Sequence, residues 1–168
     1  MIRPHKGRMP KVDPTAFVDD SAQVIGDVVI GAESSIWMNT VVRGDVNHIR
    51  IGARTNVQDG SVLHVTRRTH PLVIGDDVTI GHAAVIHGCT LEDHAFIGMG
   101  ATVMDGAVVG SFAFVAAGAL VTQGRHIPPG TLAMGAPAKP VRDLTERELE
   151  RIRASARNYV KDRLDYME

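Results

Sequence analysis

An aliphatic side chain returns every six residues along most of this chain: Val12, Val18, Val24, Ile30, Ile36 and Val42, then Ile51, Val57 and Leu63, then Ile74, Ile80 and Ile86. The beat slips by one residue at Leu91 and continues through Ile97, Val103, Val109, Val115, Val121 and Ile127. A hexad is too short to bury its own apolar residue and must be stacked on others, so a fixed period this short marks a solenoid. Three hexads make one triangular turn of a parallel β-helix, with the aliphatic residue inward and turns at small or polar positions such as Gly31, Gly52, Gly75, Gly98 and Gly110. Aromatic residues make up only 4% of the chain, as a narrow coil filled with Val and Ile requires.

This period sets the expected organisation. Residues 1–11 form an N-terminal segment and residues 12–137 the coil, roughly seven turns stacked at ~4.8 Å. Residues 138–143 are expected to be a linker, because Pro137 and Pro140 lack the N–H that a ladder uses. Residues 144–168 form a C-terminal helix. Thr145 and Glu148 fit a capping box there, and Leu149, Ile152, Ala156, Tyr159, Val160, Leu164 and Met167 follow at helical spacing. The apolar face of that helix is expected on the outside of the coil or on a neighbouring subunit.

Composition narrows the partners and the compartment. The formal net charge is −1 and there is no long basic run, which argues against nucleic acid or an acidic membrane surface. No stretch reaches the ~20 apolar residues of a membrane span. The basic start, with Arg3, Lys6 and Arg8, has no apolar segment of the secretory type. Cys89 is the single cysteine, which excludes an internal disulfide and suits a reducing cytoplasm.

Function is sought where the beat is broken, since stacking does not require an insertion. His64 directly follows Leu63 and His87 directly follows Ile86, so both hold the same place in a hexad. The step from Leu63 to Ile74 is five residues longer than one beat; without those five, the two histidines are one complete turn apart. They are therefore expected one above the other, ~5 Å apart at the backbone, a spacing that suits two ligands of one metal. His82 follows Ile80 by two residues and falls at the end of a different face. A neighbouring coil would have to supply it, and a threefold assembly would build one such site at each interface. Three imidazoles with an open fourth position is a catalytic zinc pattern. The plain alternative is a set of unrelated surface histidines, the reading adopted for His5, His48, His70, His94 and His126.

The segments Val42-Arg43-Gly44-Asp45, Ile51-Gly52-Ala53-Arg54-Thr55-Asn56-Val57-Gln58-Asp59-Gly60, Leu63-His64-Val65, Ile80-Gly81-His82 and His87-Gly88-Cys89 resemble the γ-class carbonic anhydrase family, in particular its short bacterial γ-carbonic-anhydrase-like members. The resemblance extends over nearly the whole chain, including Asn158-Tyr159-Val160 on the C-terminal helix. It implies a left-handed parallel β-helix assembled as a homotrimer. The metal, Zn²⁺ or in its place Fe²⁺ or Co²⁺, would be held at each subunit interface by His64 and His87 of one chain and His82 of the next. The implied reaction is reversible hydration of carbon dioxide to bicarbonate, the metal lowering the pKa of bound water to ~7. By the same resemblance, Arg43 and Asp45 match a pair that links subunits beside the metal, and Gln58 matches a glutamine that orients the water. Asn56, Asp59 and Tyr159 match neighbouring positions, for which turn or packing roles are equally open. Cys89 reads as a small buried residue.

The chain departs from the family archetype in two places. Val46 stands where the archetype has a glutamate, and the loop Thr66-Arg67-Arg68-Thr69-His70-Pro71 has no carboxylate. His70, otherwise read as a polar surface residue, is the loop side chain available to substitute as a proton shuttle. Three other functions fit the same repeat: a coenzyme A-dependent acyltransferase, a metal-dependent thioester or ester hydrolase, and a catalytically inactive metal-binding scaffold.

Overall fold

From Asn56 onward the short parallel strands pair with the third strand after them: Val62–His64 with Val85–His87, that with Thr102–Val103, and that with Leu120–Val121. This is the connectivity of a three-sided coil, and the chain is a parallel β-helix of about seven turns with one C-terminal helix. The computed structural model describes residues 1–167. From Val24 to Ile127 every residue of the six-residue beat is at most 3% exposed. A second buried series lies two residues earlier in each hexad, as at Ala95, Ala101, Ala107, Ala113 and Ala119. The series also takes larger side chains in the earlier turns, at Val28, Ile49, Leu72 and Val78. Cys89 occupies this series ahead of Leu91, and burial pushes its thiol pKa upward.

Two strands are long. Gln23–Ile30 and Val41–Ile51 run past a corner, so two faces of the prism form one twelve-stranded sheet while the third face is an eight-stranded sheet. The corner closes on glycines: a Cβ on Gly26 would lie 2.4 Å from the Gly44 carbonyl oxygen, and one on Gly44 would lie 2.6 Å from that of Asp27. This close approach allows the chain to turn immediately before Asp45.

The ends differ from the expected boundaries. Ile2–Arg3 and Lys11–Val12 both pair with Gln23–Ile30, so the N-terminal segment is stitched to the coil. Residues 138–143, expected as a linker, form the strand Ala138–Asp143, antiparallel to Thr131–Gly135. Pro137 lies in the intervening turn, and Pro140 lies on the outermost strand of its sheet beside a register irregularity. A missing N–H is tolerated at such an edge.

The helix Glu146–Asp162 begins with the capping box of Thr145 and Glu148 and continues as a short 3₁₀ turn, Arg163–Tyr166. It packs on its own coil, burying Ile152 and Ala156, with Ser155 Oγ 3.1 Å from Thr79 Oγ1. Trp37 meets Tyr159 and Tyr166 edge-on, at ring-centroid distances of 5.4 and 5.1 Å. Among the described residues no helix is long and apolar enough to cross a membrane.

Because the inward residues are fully enclosed, Ile97→Ala should lower the unfolding free energy by about 2–5 kcal/mol, the range for truncating a buried Ile. The outward Met104→Ala should cost far less, about 1 kcal/mol or below. Urea denaturation followed by circular dichroism checks both.

Candidate metal centre

His64 and His87 sit opposite each other in the parallel ladder, as the one-turn spacing predicts. His64 Nδ1 lies 3.0 Å from His87 Nε2. The other nitrogen of each ring faces a carboxylate from a different turn. His64 Nε2 is 2.9 Å from Asp45 Oδ1, and His87 Nδ1 is 2.6 Å from Asp105 Oδ1. Asp45 also accepts from the backbone N–H of Val46 at 2.8 Å and from the Arg43 guanidinium. Asp105 accepts from Thr66 Oγ1 at 2.6 Å. Burial pushes the Asp45 carboxyl upward, but hydrogen bonds from His64 and Arg43 and the Arg43 charge outweigh it, leaving a pKa of about 2. For Asp105, burial is likewise overcome by bonds from Thr66 and His87, and its pKa is lowered.

These partners assign the tautomers. An ionised carboxylate only accepts, so the proton is on Nε2 of His64 and on Nδ1 of His87. With both rings neutral, the two remaining nitrogens, 3.0 Å apart, are both acceptors. Facing acceptors repel unless a proton or a cation lies between them. Two nitrogens bound at ~2.0–2.1 Å to one tetrahedral ion are ~3.3 Å apart, so the pair fits two ligands of such an ion. Among the described residues, no group of three or more His, Cys, Asp or Glu side chains converges as a metal site within the chain.

The remaining predicted residues gather elsewhere. Backbone bonds stack Met38, Asp59, His82 and Met99 on the corner that precedes the strand Val85–His87, whereas His87 stands at the strand's other end. His82 Nδ1 is 2.9 Å from Asp59 Oδ2, and both side chains are nearly half exposed, at 47% and 45%. Gln58 and His82 share a cleft of about 290 Å³. Gln58 Nε2 donates to Asn56 Oδ1 at 3.1 Å, and the buried Asn56 donates to Thr79 Oγ1 at 3.0 Å. Tyr159, Trp37 and Asp59 line a second cleft of about 580 Å³. Burial, followed by the charges of Asp59 and Asp162, raises the Tyr159 pKa.

Comparison with known proteins follows this geometry. Residues 71–103 match the bacterial transferase hexapeptide model, and residues 88–123 match the hexapeptide repeat of succinyl-transferase. A carbonic anhydrase of Geobacillus kaustophilus is 51% identical over 95% of this chain and 87% of its own length. The mitochondrial gamma carbonic anhydrase 1 of Arabidopsis thaliana is 54% identical over 90% of the chain, which spans 57% of that longer protein. The chain belongs to the γ-class carbonic anhydrase-like family of hexapeptide-repeat proteins. A crystal structure from Bacillus cereus, described as a putative acetyltransferase, superposes with a TM-score of 0.96 at 46% identity, covering 98% of this chain and 95% of that one.

Within this family pattern the structure adds two side chains that the sequence reading missed, Asp105 and Thr66. Thr66 is 39 residues from Asp105 and has no motif to mark it; only the two-residue offset of Asp105 from the inward Val103 ties it to the histidine column. Arg43 and Asp45 bond to each other within one chain. Val46, which stands in place of the archetypal glutamate, packs against the core.

Asp45 ionises more readily in the folded protein than in the unfolded chain. It therefore stabilises the fold above pH ~4, and that contribution is lost as pH falls from 3.8 through about 2. Asp45→Asn should cost about 1–2 kcal/mol near neutral pH, and the difference from wild type should shrink steadily below pH 4. Urea titrations of both proteins across pH 2–7 measure this convergence.

Proposed function

We propose that three copies of this chain form a metal-dependent carbonic anhydrase. Zn²⁺, or Fe²⁺ or Co²⁺ in its place, would be held at each interface by His64 and His87 of one subunit and His82 of its neighbour. The observation that carries this reading is the division of the site: two imidazoles meet at one corner, and an exposed imidazole stands at another with Asp59 alone beside it, so that among the described residues no three such groups converge within one chain. A coil packed alongside would complete three-imidazole coordination with an open position.

When bound, the metal supplies Lewis acidity that makes water a nucleophile near neutral pH. The chain's own residues do the rest. Asp45 and Asp105 hold the two imidazoles in the tautomers that present Nδ1 and Nε2. One N–H of the Gln58 amide is spent on Asn56, and Oε1 is left to accept a hydrogen bond from water and fix its orientation. Arg43, held by Asp45 at the lip of the site, places a positive charge where bicarbonate would form. The carboxylate-free loop leaves His70 to pass the released proton to solvent. Carbon dioxide needs only a small apolar approach, which the cleft beside Gln58 and His82, lined by Phe96, Ile97, Met99 and Phe114, provides; the single buried cysteine suits a cytoplasmic setting.

Stopped-flow hydration of carbon dioxide, with metal quantified on the same sample, tests the proposal. The expected result is about one metal per chain and metal-dependent turnover, with His82→Ala losing at least ~10²-fold in activity together with most of its metal. A trimer that retains coenzyme A and no metal would replace this reading with acyl transfer, the activity suggested by the description of the Bacillus cereus structure. A fully metallated, inactive trimer would replace it with hydrolysis or scaffolding.

A further inference from the structure

The geometry points to a positioning role for the insertion that interrupts the coil after His64: through Thr66 and Asp105, it fixes the tautomer and direction of His87. This rests on the metal-site reading above and concerns residues that the family motifs do not include. The loop folds back on itself, with Thr66 N–H donating to the His70 carbonyl at 3.0 Å and Asn47 Nδ2 donating to the Thr66 carbonyl at 3.1 Å. The Thr66 backbone is thus held from both sides. Its hydroxyl donates to Asp105 Oδ2 at 2.6 Å, and Asp105 Oδ1 accepts from His87 Nδ1 at 2.6 Å. A three-member chain of charge-assisted bonds therefore runs from the loop to the ring, leaving Nε2 of His87 facing His64.

A turn-capping role does not account for this arrangement. At two other turns Asp76 and Asp93 spend Oδ1 on backbone N–H groups, those of Ala53 and Asp76, each at 2.8 Å. Both oxygens of Asp105 go instead to side chains. A Cβ on Gly88, immediately after His87, would lie 2.3 Å from Asp105 Oδ1, the same approach that Gly52 makes to Asp76 and Gly75 to Asp93; particular to Gly88 is the loop, whose His70 Cβ would lie 2.8 Å away. Gly88 therefore lets both the carboxylate and the loop reach the ring. The unmet rule of the sequence reading, a loop without acidic residues, acquires a physical account, since the loop contributes a hydroxyl to a carboxylate supplied from the next turn.

The test uses the full-length trimer with Thr66→Val, Thr66→Ser and Asp105→Asn. Affinity for Zn²⁺ is read by chelator competition, and the His87 tautomer by nitrogen-15 NMR of the metal-free protein. Outer partners of metal-binding histidines typically change affinity by about 10–100-fold. We expect Asp105→Asn to weaken Zn²⁺ binding across that range, Thr66→Val to weaken it about 10-fold, and Thr66→Ser to restore wild-type affinity. In metal-free wild type His87 should be protonated on Nδ1, and this preference should be lost in Thr66→Val and Asp105→Asn. Unchanged affinity and tautomer in both variants, or a Thr66→Ser protein as impaired as Thr66→Val, would overturn the positioning role. A wild-type protein without histidine-dependent Zn²⁺ binding would instead overturn the metal-site reading, and the tautomer measurement would still decide the loop's action on His87.

Discussion

Parallel register between successive turns is the constraint on which the rest of this molecule depends. With strands of two or three residues, no face of the prism is stable alone, and stability comes from stacking inward Ile, Leu and Val side chains, 3% exposed or less, through the length of the coil. The same stacking fixes the outward side chains. A residue one place beyond an inward aliphatic must lie over its counterpart in the next turn, so the pairing of Leu63 with Ile86 brings His64 onto His87. Slipping a turn by one residue would turn its inward set to solvent. The site is thus held by the same energy that holds the fold.

On that frame the local electrostatics are organised by carboxylates from the turns above and below. Asp45 and Asp105 orient the two imidazoles so that the nitrogens they leave over face each other, an arrangement that a proton or a cation between them satisfies. The arginine and threonine that brace these carboxylates satisfy the oxygens that the imidazoles leave over. The corner that carries His82 follows a different logic. His82 and Asp59 are exposed at a corner, and Gln58, Asn56 and Thr79 form a buried polar chain behind them. The helix that packs over Thr79 brings Tyr159 to the same side.

Periodicity made much of this legible. The six-residue beat identifies the coil, and the length of the insertion locates the histidine pair, because both depend only on counting residues along a regular stack. The beat did not reveal the second buried series, since the Ala, Ser and Thr that hold many of its places also occur at turns and on the surface. Nor did composition anticipate that Ala138–Asp143 would pair as a strand. Proline removes only a donor, and at a sheet edge that donor has no partner to lose. The roles of Thr66 and Asp105 were illegible for a different reason: they meet across 39 residues through an irregular loop, whose path no repeat dictates.

What the sequence by itself determined, then, is everything that follows from a fixed period: the solenoid, its inward residues, the capped helix at its end, and the stacking of His64 on His87. Those features need only local chemistry and arithmetic. Tertiary structure alone decided which nitrogen of each imidazole is presented, which carboxylate holds it, and that His82, set apart from the pair by its place in the hexad, pairs with Asp59. These are matters of direction and distance between side chains on different turns, and they exist only once the coil has closed.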